Sequence, residues 1–246
     1  MNRKKLKTIG VLGGMGPEAT AFFLERLVRA TAARLDQDHP PVIVYSLPQI
    51  PNRTEAILRG GPSPVPLLIK GLETLRRAGA DFAVMPCVTA HYFFPRLAAR
   101  SPLPLLNLLD ETLAEVGRLR PVPGSIGLIA TDGTVRSGIV SGLFEPAGIR
   151  VIVPSARDQK RMMRAIYGNR GIKAGHVSGA PQEAIISVAR ELVRRGAGAV
   201  MAGCTEVPLV LRASDLPVPL VEPMAIGARA AVRLSGARLR VAPSHF

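Results

Sequence analysis

The sequence predicts an α/β fold of two pseudosymmetric domains, each a mostly parallel sheet flanked by helices. Three observations carry this expectation. The chain repeats itself once: Ile9 opens IGVLGGMG and Ile126 opens IGLIATDG, and the same offset of 117 positions links Cys87, ending GADFAVMPC, to Cys204, ending GAGAVMAGC. In both halves short apolar runs alternate with segments of helical periodicity, the pattern of strand-helix-strand units. The residues are 47% hydrophobic but only 4% aromatic, with no Trp, so Ala, Val, Leu and Ile must fill the core, as in parallel sheets buried on both faces.

The elements follow in order. Thr8 to Leu12 reads as a buried strand ended by glycines, and Pro17 and Glu18 suit the first turn of a helix with Phe23, Leu27 and Ala30 on one face. Pro41 to Leu47 is a second strand and Pro66 to Ala78 a helix whose Leu68, Leu72 and Leu75 share a face. Asp81 to Met85 is a third strand running into Cys87, and Leu103 to Leu106 a fourth. Arg118 to Ser125 (RLRPVPGS) has the Pro and Gly of a boundary, after which the series restarts. Strands are expected at Ser125 to Ala130, Ile149 to Val153, Ala199 to Ala202 and Val218 to Val221. The last of these, LPVPLVE, echoes SPLPLLN of the first half and aligns Pro219 with Pro104; a helix-like segment around Met224 to Leu234 follows it. The expected layout is therefore discontinuous, residues 1–115 with 218–246 forming the first domain and 116–217 the second.

Composition excludes several classes. No run of 18 apolar residues exists to span a bilayer, and the basic lead MNRKKLK is followed by a short, glycine-rich stretch broken by Pro17 and Glu18 rather than by a signal-peptide core. A cytoplasmic protein with two free thiols is the expectation. The formal charge of +14 invites a nucleic-acid partner, but the 32 Lys and Arg are scattered, stacking aromatics are scarce and no recognition signature is present. Neither a nucleic-acid nor a membrane partner is expected, and the charge would draw in a small anionic substrate.

The chemistry concentrates at the two cysteines. A lone buried Cys is ordinarily inert core. Both, however, stand where an apolar strand gives way to hydroxyl residues, PCVTAH at Cys87 and GCTE at Cys204, at the carboxyl ends of strands where reactive loops gather. Backbone N–H groups of a following turn would favour thiolate there. A redox pair would read C-x-x-C, and a metal site would need more ligands at regular spacing than the four His at 39, 91, 176 and 245 supply. Two opposed thiols can remove a proton from one face of a carbon and return one to the other, which is racemisation with no cofactor and no metal.

The blocks GVLGGMGPEAT, PQIPNRT, MPCVTAHYF, IATDGT, IYGNRGIKAG and GCTEVPLV, in order from about Ile9 to Glu222, resemble the signatures of the aspartate/glutamate racemase family, in its aspartate-racemase branch. The resemblance implies two pseudosymmetric α/β domains, a catalytic cysteine from each at the interdomain cleft, a dicarboxylic amino-acid substrate and a homodimer. It matches Cys87 and Cys204 to the acid and base thiols, and Arg53 and Lys173 to the groups that hold the substrate's carboxylates. Thr89, Thr131, Thr134 and Thr205 match hydroxyl donors, each with a plainer reading as a turn or cap residue. Met15 is placed at the cleft by its glycine loop, and His91 and Glu206 stand close enough in sequence to tune the thiols or to pair structurally.

One departure stands out. The family usually carries Asn after its first cysteine; here it is Val88, which cannot hydrogen-bond a substrate. Glu222 likewise replaces a common Asp. A related isomerase or racemase with another substrate, or an amino-acid-binding relative without turnover, stays open on this ground. Gly14, Gly16 and Ala19 also satisfy a dinucleotide fingerprint, G-x-G-x-x-A, but no acidic residue ends the second strand as that reading requires.

Overall fold

A computed structural model describes residues 5–240. The first four residues of the basic lead and His245 lie outside the described residues. The first half runs β1 (Ile9–Gly13), α1 (Pro17–Ala30), β2 (Val42–Ser46), α2 (Arg53–Leu58), α3 (Val65–Arg77), β3 (Phe82–Val84), α4 (Phe94–Ala98), β4 (Leu105–Leu106) and α5 (Leu108–Val116). The second runs β5 (Ser125–Ile129), α6 (Asp132–Ser137), α7 (Ser141–Phe144), β6 (Arg150–Ile152), α8 (Ala156–Tyr167), α9 (Ala180–Arg194), β7 (Ala199–Ala202), β8 (Leu220–Val221) and α10 (Pro223–Ser235). Each predicted strand is present within a few residues of its expected ends.

Two four-stranded sheets result, ordered β2-β1-β3-β4 and β6-β5-β7-β8, and every ladder is parallel. The repeat survives in the register of the inner pair. Ile9 lies opposite Phe82 and Ile126 opposite Ala199, so both residues of the pair shift by the same 117 positions. Strands β1, β3, β5 and β7 are buried at every residue, which explains why they read as continuous apolar runs instead of alternating ones.

Helices α5 and α10 tie the two units together by exchange. Strand β8 hydrogen-bonds to β7, so the second sheet extends to Val221, beyond the crossing expected at 218. Helix α10 then leaves that sheet and buries Met224, Ala228, Ala231 and Val232 among Ile9, Val11, Phe23 and Phe82 of the first. Helix α5 does the converse: it follows β4 of the first sheet, yet its Leu109 and Val116 join Ile126, Leu128, Ala199 and Met201 beneath the second. Each large apolar side chain buried this way contributes roughly 1.5–3 kcal/mol, so neither sheet is complete without a helix reached from the other.

The glycine loop after β1 is spent on packing. Gly14, at φ +90°, presses against the backbone of Leu47 and Pro48, and its N–H donates to Thr20 Oγ1 at 2.8 Å. A Cβ on Gly16 would lie 3.0 Å from Glu206 Oε1 and 3.3 Å from Lys173 Nζ. Protein atoms fill the space beside these glycines that the fingerprint reading would give to a dinucleotide's phosphates.

Candidate functional site

The two thiols reach one cavity because equivalent strands deliver them. Cys87 follows β3 and Cys204 follows β7, the inner strands of the opposed sheets. Cys87 starts the 3-10 turn Val88–Phe93, and Cys204 opens the turn that leads into Val207–Leu209; Ala90 N–H donates to the Cys87 carbonyl at 3.2 Å and Val207 N–H to the Cys204 carbonyl at 3.0 Å. Both thiols are free and buried. The cavity between them measures about 270 Å³, and Met15, Arg53, Val88, Thr89, Thr131, Lys173 and Thr205 line it together with Thr54, Tyr167 and Glu206. A larger cleft of about 790 Å³ beside α8 and α9 is lined by Arg161, Arg164 and Arg170 and holds neither thiol.

The second-domain side of the cavity is anionic at its base. Cys204 Sγ–H donates to Glu206 Oε2 at 2.9 Å, and Thr205 Oγ1 donates to the same oxygen at 3.2 Å. Glu206 Oε1 is bound by the Lys173 ammonium, and the carboxylate side chain is only 4% exposed. Burial first, and the Glu206 charge second, push the Cys204 thiol well above its usual range. The expectation that its turn would favour thiolate is thereby corrected: a three-residue 3-10 turn cannot offset desolvation and a carboxylate in contact. Lys173 lines the cavity, its charge met by Glu206, and its Nζ sits 5.6 Å from the centre of the Tyr167 ring.

On the opposite wall Arg53 is spread over backbone. Its Nη1 donates to the carbonyls of Ile50 at 3.1 Å and Pro51 at 3.0 Å, and its Nη2 to that of Met15 at 3.3 Å. This fixes the guanidinium and leaves Nε–H buried without a partner; Thr54 Oγ1 beside it is also buried and unpartnered. Both residues line the cavity, and a buried donor without a partner is costly, so each suits an acceptor such as a carboxylate oxygen.

Thr89, Thr131 and Thr134 form a hydroxyl triangle, Thr89 lying 3.2 Å from Thr131 and 2.8 Å from Thr134. Thr134 is fully buried and does not line the cavity. It stands in the first turn of α6 with its hydroxyl on that of Thr89, so it reaches the cavity through Thr89. His91 does not touch a thiol. Its Nδ1–H donates to the Cys87 carbonyl at 2.9 Å and its Nε2 accepts from Leu108 N–H at 3.1 Å, stitching the Cys87 turn to the start of α5. Burial lowers its pKa to about 4, so the ring is neutral. Val88 is 1% exposed and belongs to the apolar cluster with Leu109, Val140 and Phe144.

Thr54 and Tyr167 were not singled out by sequence reasoning, although both lie inside quoted motifs, PNRT and IYGNRGIKAG. Their signal was adjacency to Arg53 and to the loop bearing Lys173.

Comparison with known proteins places the chain in a family. The profile of the Asp/Glu/hydantoin racemase family matches residues 12–231. An aspartate racemase from Picrophilus torridus has a solved structure that superposes with a TM-score of 0.83 at 30% identity, covering 95% of this chain and 96% of that one. A broad-specificity amino-acid racemase of Bacillus subtilis is 25% identical over 231 residues, 91% of this chain and 96% of its own. A glutamate racemase from Francisella tularensis, at 16% identity and a TM-score of 0.67, covers 94% of this chain and 81% of that one and shares the fold. The chain belongs to the Asp/Glu/hydantoin racemase family.

Proposed function

We propose that this protein racemises aspartate, glutamate or both without a cofactor, moving the α-proton between Cys87 and Cys204. The observation that supports this most directly is the convergence of both thiols, from equivalent strands of two sheets, on one cavity that Arg53 and Lys173 also line. One thiolate takes the α-proton from one face while the other thiol donates to the opposite face, so the substrate does not have to turn over. Arg53 Nε–H and Thr54 Oγ–H receive one carboxylate, and fixing the guanidinium beforehand removes ordering cost from binding. Lys173 receives the other by exchanging Glu206 for the substrate. Thr89, Thr131 and Thr205 offer hydroxyls around the reacting carbon. Two free thiols support a reducing, cytoplasmic setting, and the family resemblance supports a homodimer, which sedimentation equilibrium tests.

The test is incubation of single enantiomers of aspartate, glutamate and neutral amino acids in heavy water with no additive. Deuterium at Cα together with the opposite enantiomer is the expected result, and Cys87→Ser or Cys204→Ser should each lower turnover by at least ~100-fold. Full activity in both variants would overturn the two-thiol reading. Val88 favours a second reading in which the preferred amino acid is not a dicarboxylate; the same panel separates the two by which substrate exchanges fastest.

A further inference from the structure

We propose that the cleft between α8 and α9 binds a polyphosphate group, and that occupancy fixes the loop that follows α8 and carries Lys173. Nothing in this depends on which reaction the two thiols perform.

The sequence of α8 loads one face with positive charge. Arg157, Lys160, Arg161 and Arg164 recur at spacings of three and four, which sets side chains next to one another on a helix, while Met162, Ala165 and Ile166 are buried. Like charges so placed repel, and the helix holds one carboxylate to answer them: Asp158, 3.3 Å from Arg161. Arg164 and Arg170 form no ion pair among the described residues. These two and Arg161 line the cleft of about 790 Å³, and no Asp or Glu lines it. The start of α9 adds to the same charge. Ala180 and Pro181 line the cleft and no side chain caps the helix, so the positive end of its dipole lies beside the three guanidiniums.

The ligand that matches this wall carries several negative oxygens close together. Each guanidinium can hold two oxygens in parallel, and a chain of phosphates supplies enough of them for all three, whereas a single carboxylate would leave most of the charge unmet. The volume lies within the range of small-molecule clefts.

One segment of chain serves this cleft and the thiol cavity. Gly168, Asn169 and Arg170 line the cleft, while Tyr167 before them and Lys173 after them line the cavity. The segment folds back on the end of α8: a Cβ on Gly171 would stand 2.8 Å from the Ala165 carbonyl oxygen and 2.9 Å from that of Gly168. Short turns hold it there, Gly171 N–H donating to the Gly168 carbonyl at 2.8 Å and Ala174 N–H to the Gly171 carbonyl at 3.0 Å. A ligand that bridges Arg161 and Arg164 of the helix to Arg170 of the loop ties the two together, so these turns open less often while it is bound.

Calorimetric titration with ATP and with inorganic tripolyphosphate, each without a divalent cation and at about 0.15 M salt, measures the binding. Tighter binding of ATP assigns the site to a nucleotide, and equal or weaker binding assigns it to a free phosphate chain. Arg164→Gln and Arg170→Gln, both at exposed positions, should each weaken the interaction by ~10-fold. Arg76→Gln, an exposed position on α3 of the first domain, removes the same charge and should leave it unchanged. Hydrogen exchange of the Gly171 and Ala174 amides should slow at saturation. The proposal is overturned if neither compound binds saturably, if all three variants lose affinity equally, which would assign the effect to the net charge of +14, or if exchange in the loop is the same with and without bound ligand.

Discussion

Thr89 of the first domain and Thr134 of the second hold their hydroxyls 2.8 Å apart inside the protein, with Thr131 closing the triangle. The bond spans the two domains at the edge of the cavity, so it sets where Thr89 stands when the cleft is closed. Thr134→Val keeps the shape and removes the hydroxyl. It should cost about 1 kcal/mol in denaturant unfolding, and because Thr89→Val breaks the same bond, the double variant should fall short of additivity by a similar amount. Additive losses would show that the two hydroxyls are independent.

His91 makes stability depend on pH with a definite sign. Its folded pKa of about 4 lies below the ordinary 6.5, so the unfolded chain binds a proton more readily than the folded one between those values. Stability from this ring is complete above pH 6.5 and is lost as the pH falls toward 4, by about 3 kcal/mol at one pKa unit per 1.36 kcal/mol. Unfolding curves at a series of pH values should show the fall, and His91→Gln, which can donate and accept at similar positions, should flatten it. An unchanged slope in the variant would place the titration elsewhere.

How much was legible in advance depended on range. The inner strands were readable because burial on both faces makes them continuous apolar runs, and the repeat was readable because Phe82 and Ala199 occupy the same register. Helices α2, α6 and α7, of six, six and four residues, are too short to show a period and were invisible. Cys87 and Cys204 could be paired by offset. The Lys173–Glu206 bond could not, since it closes 33 residues of chain through a loop whose path no local pattern fixes. The same offset carries Thr89 onto Glu206 and Val88 onto Thr205, so the two halves diverge in charge at the reactive turn while keeping a common frame.

Val88 can be tested by restoring an amide. In the empty protein Val88→Asn puts a polar side chain where Val88 is 1% exposed among apolar neighbours, which should cost about 1–3 kcal/mol. Aspartate should then stabilise the variant more than it stabilises the unmodified protein, because bound ligand satisfies the amide. Thermal shift with and without aspartate measures both effects, and KM for aspartate should fall in parallel. A variant that loses stability yet gains nothing from aspartate would show that this side chain serves the core and not the substrate.

Gly133 packs against Thr54 and Thr89, two residues that line the site. A Cβ there would stand 2.6 Å from Thr54 Oγ1, 3.0 Å from Thr54 Cα and 3.0 Å from Thr89 Cγ2, and a backbone Cα cannot swing aside as a side-chain tip can. Helix α6 carries Gly133 and α2 carries Thr54, so the clash is between domains and opens the cleft instead of disturbing either sheet. Gly133→Ala should therefore fold, with a loss of about 1–3 kcal/mol from overpacking. Its turnover should suffer more than its stability suggests, because Cys87 and Cys204 must approach one carbon from opposite sides and a misplacement of about 1 Å costs on the order of 100-fold. Racemisation rate and unfolding free energy measured on the same preparation decide this: a drop in kcat/KM no larger than the stability change accounts for would mean that closure of α6 on α2 does not position the thiols.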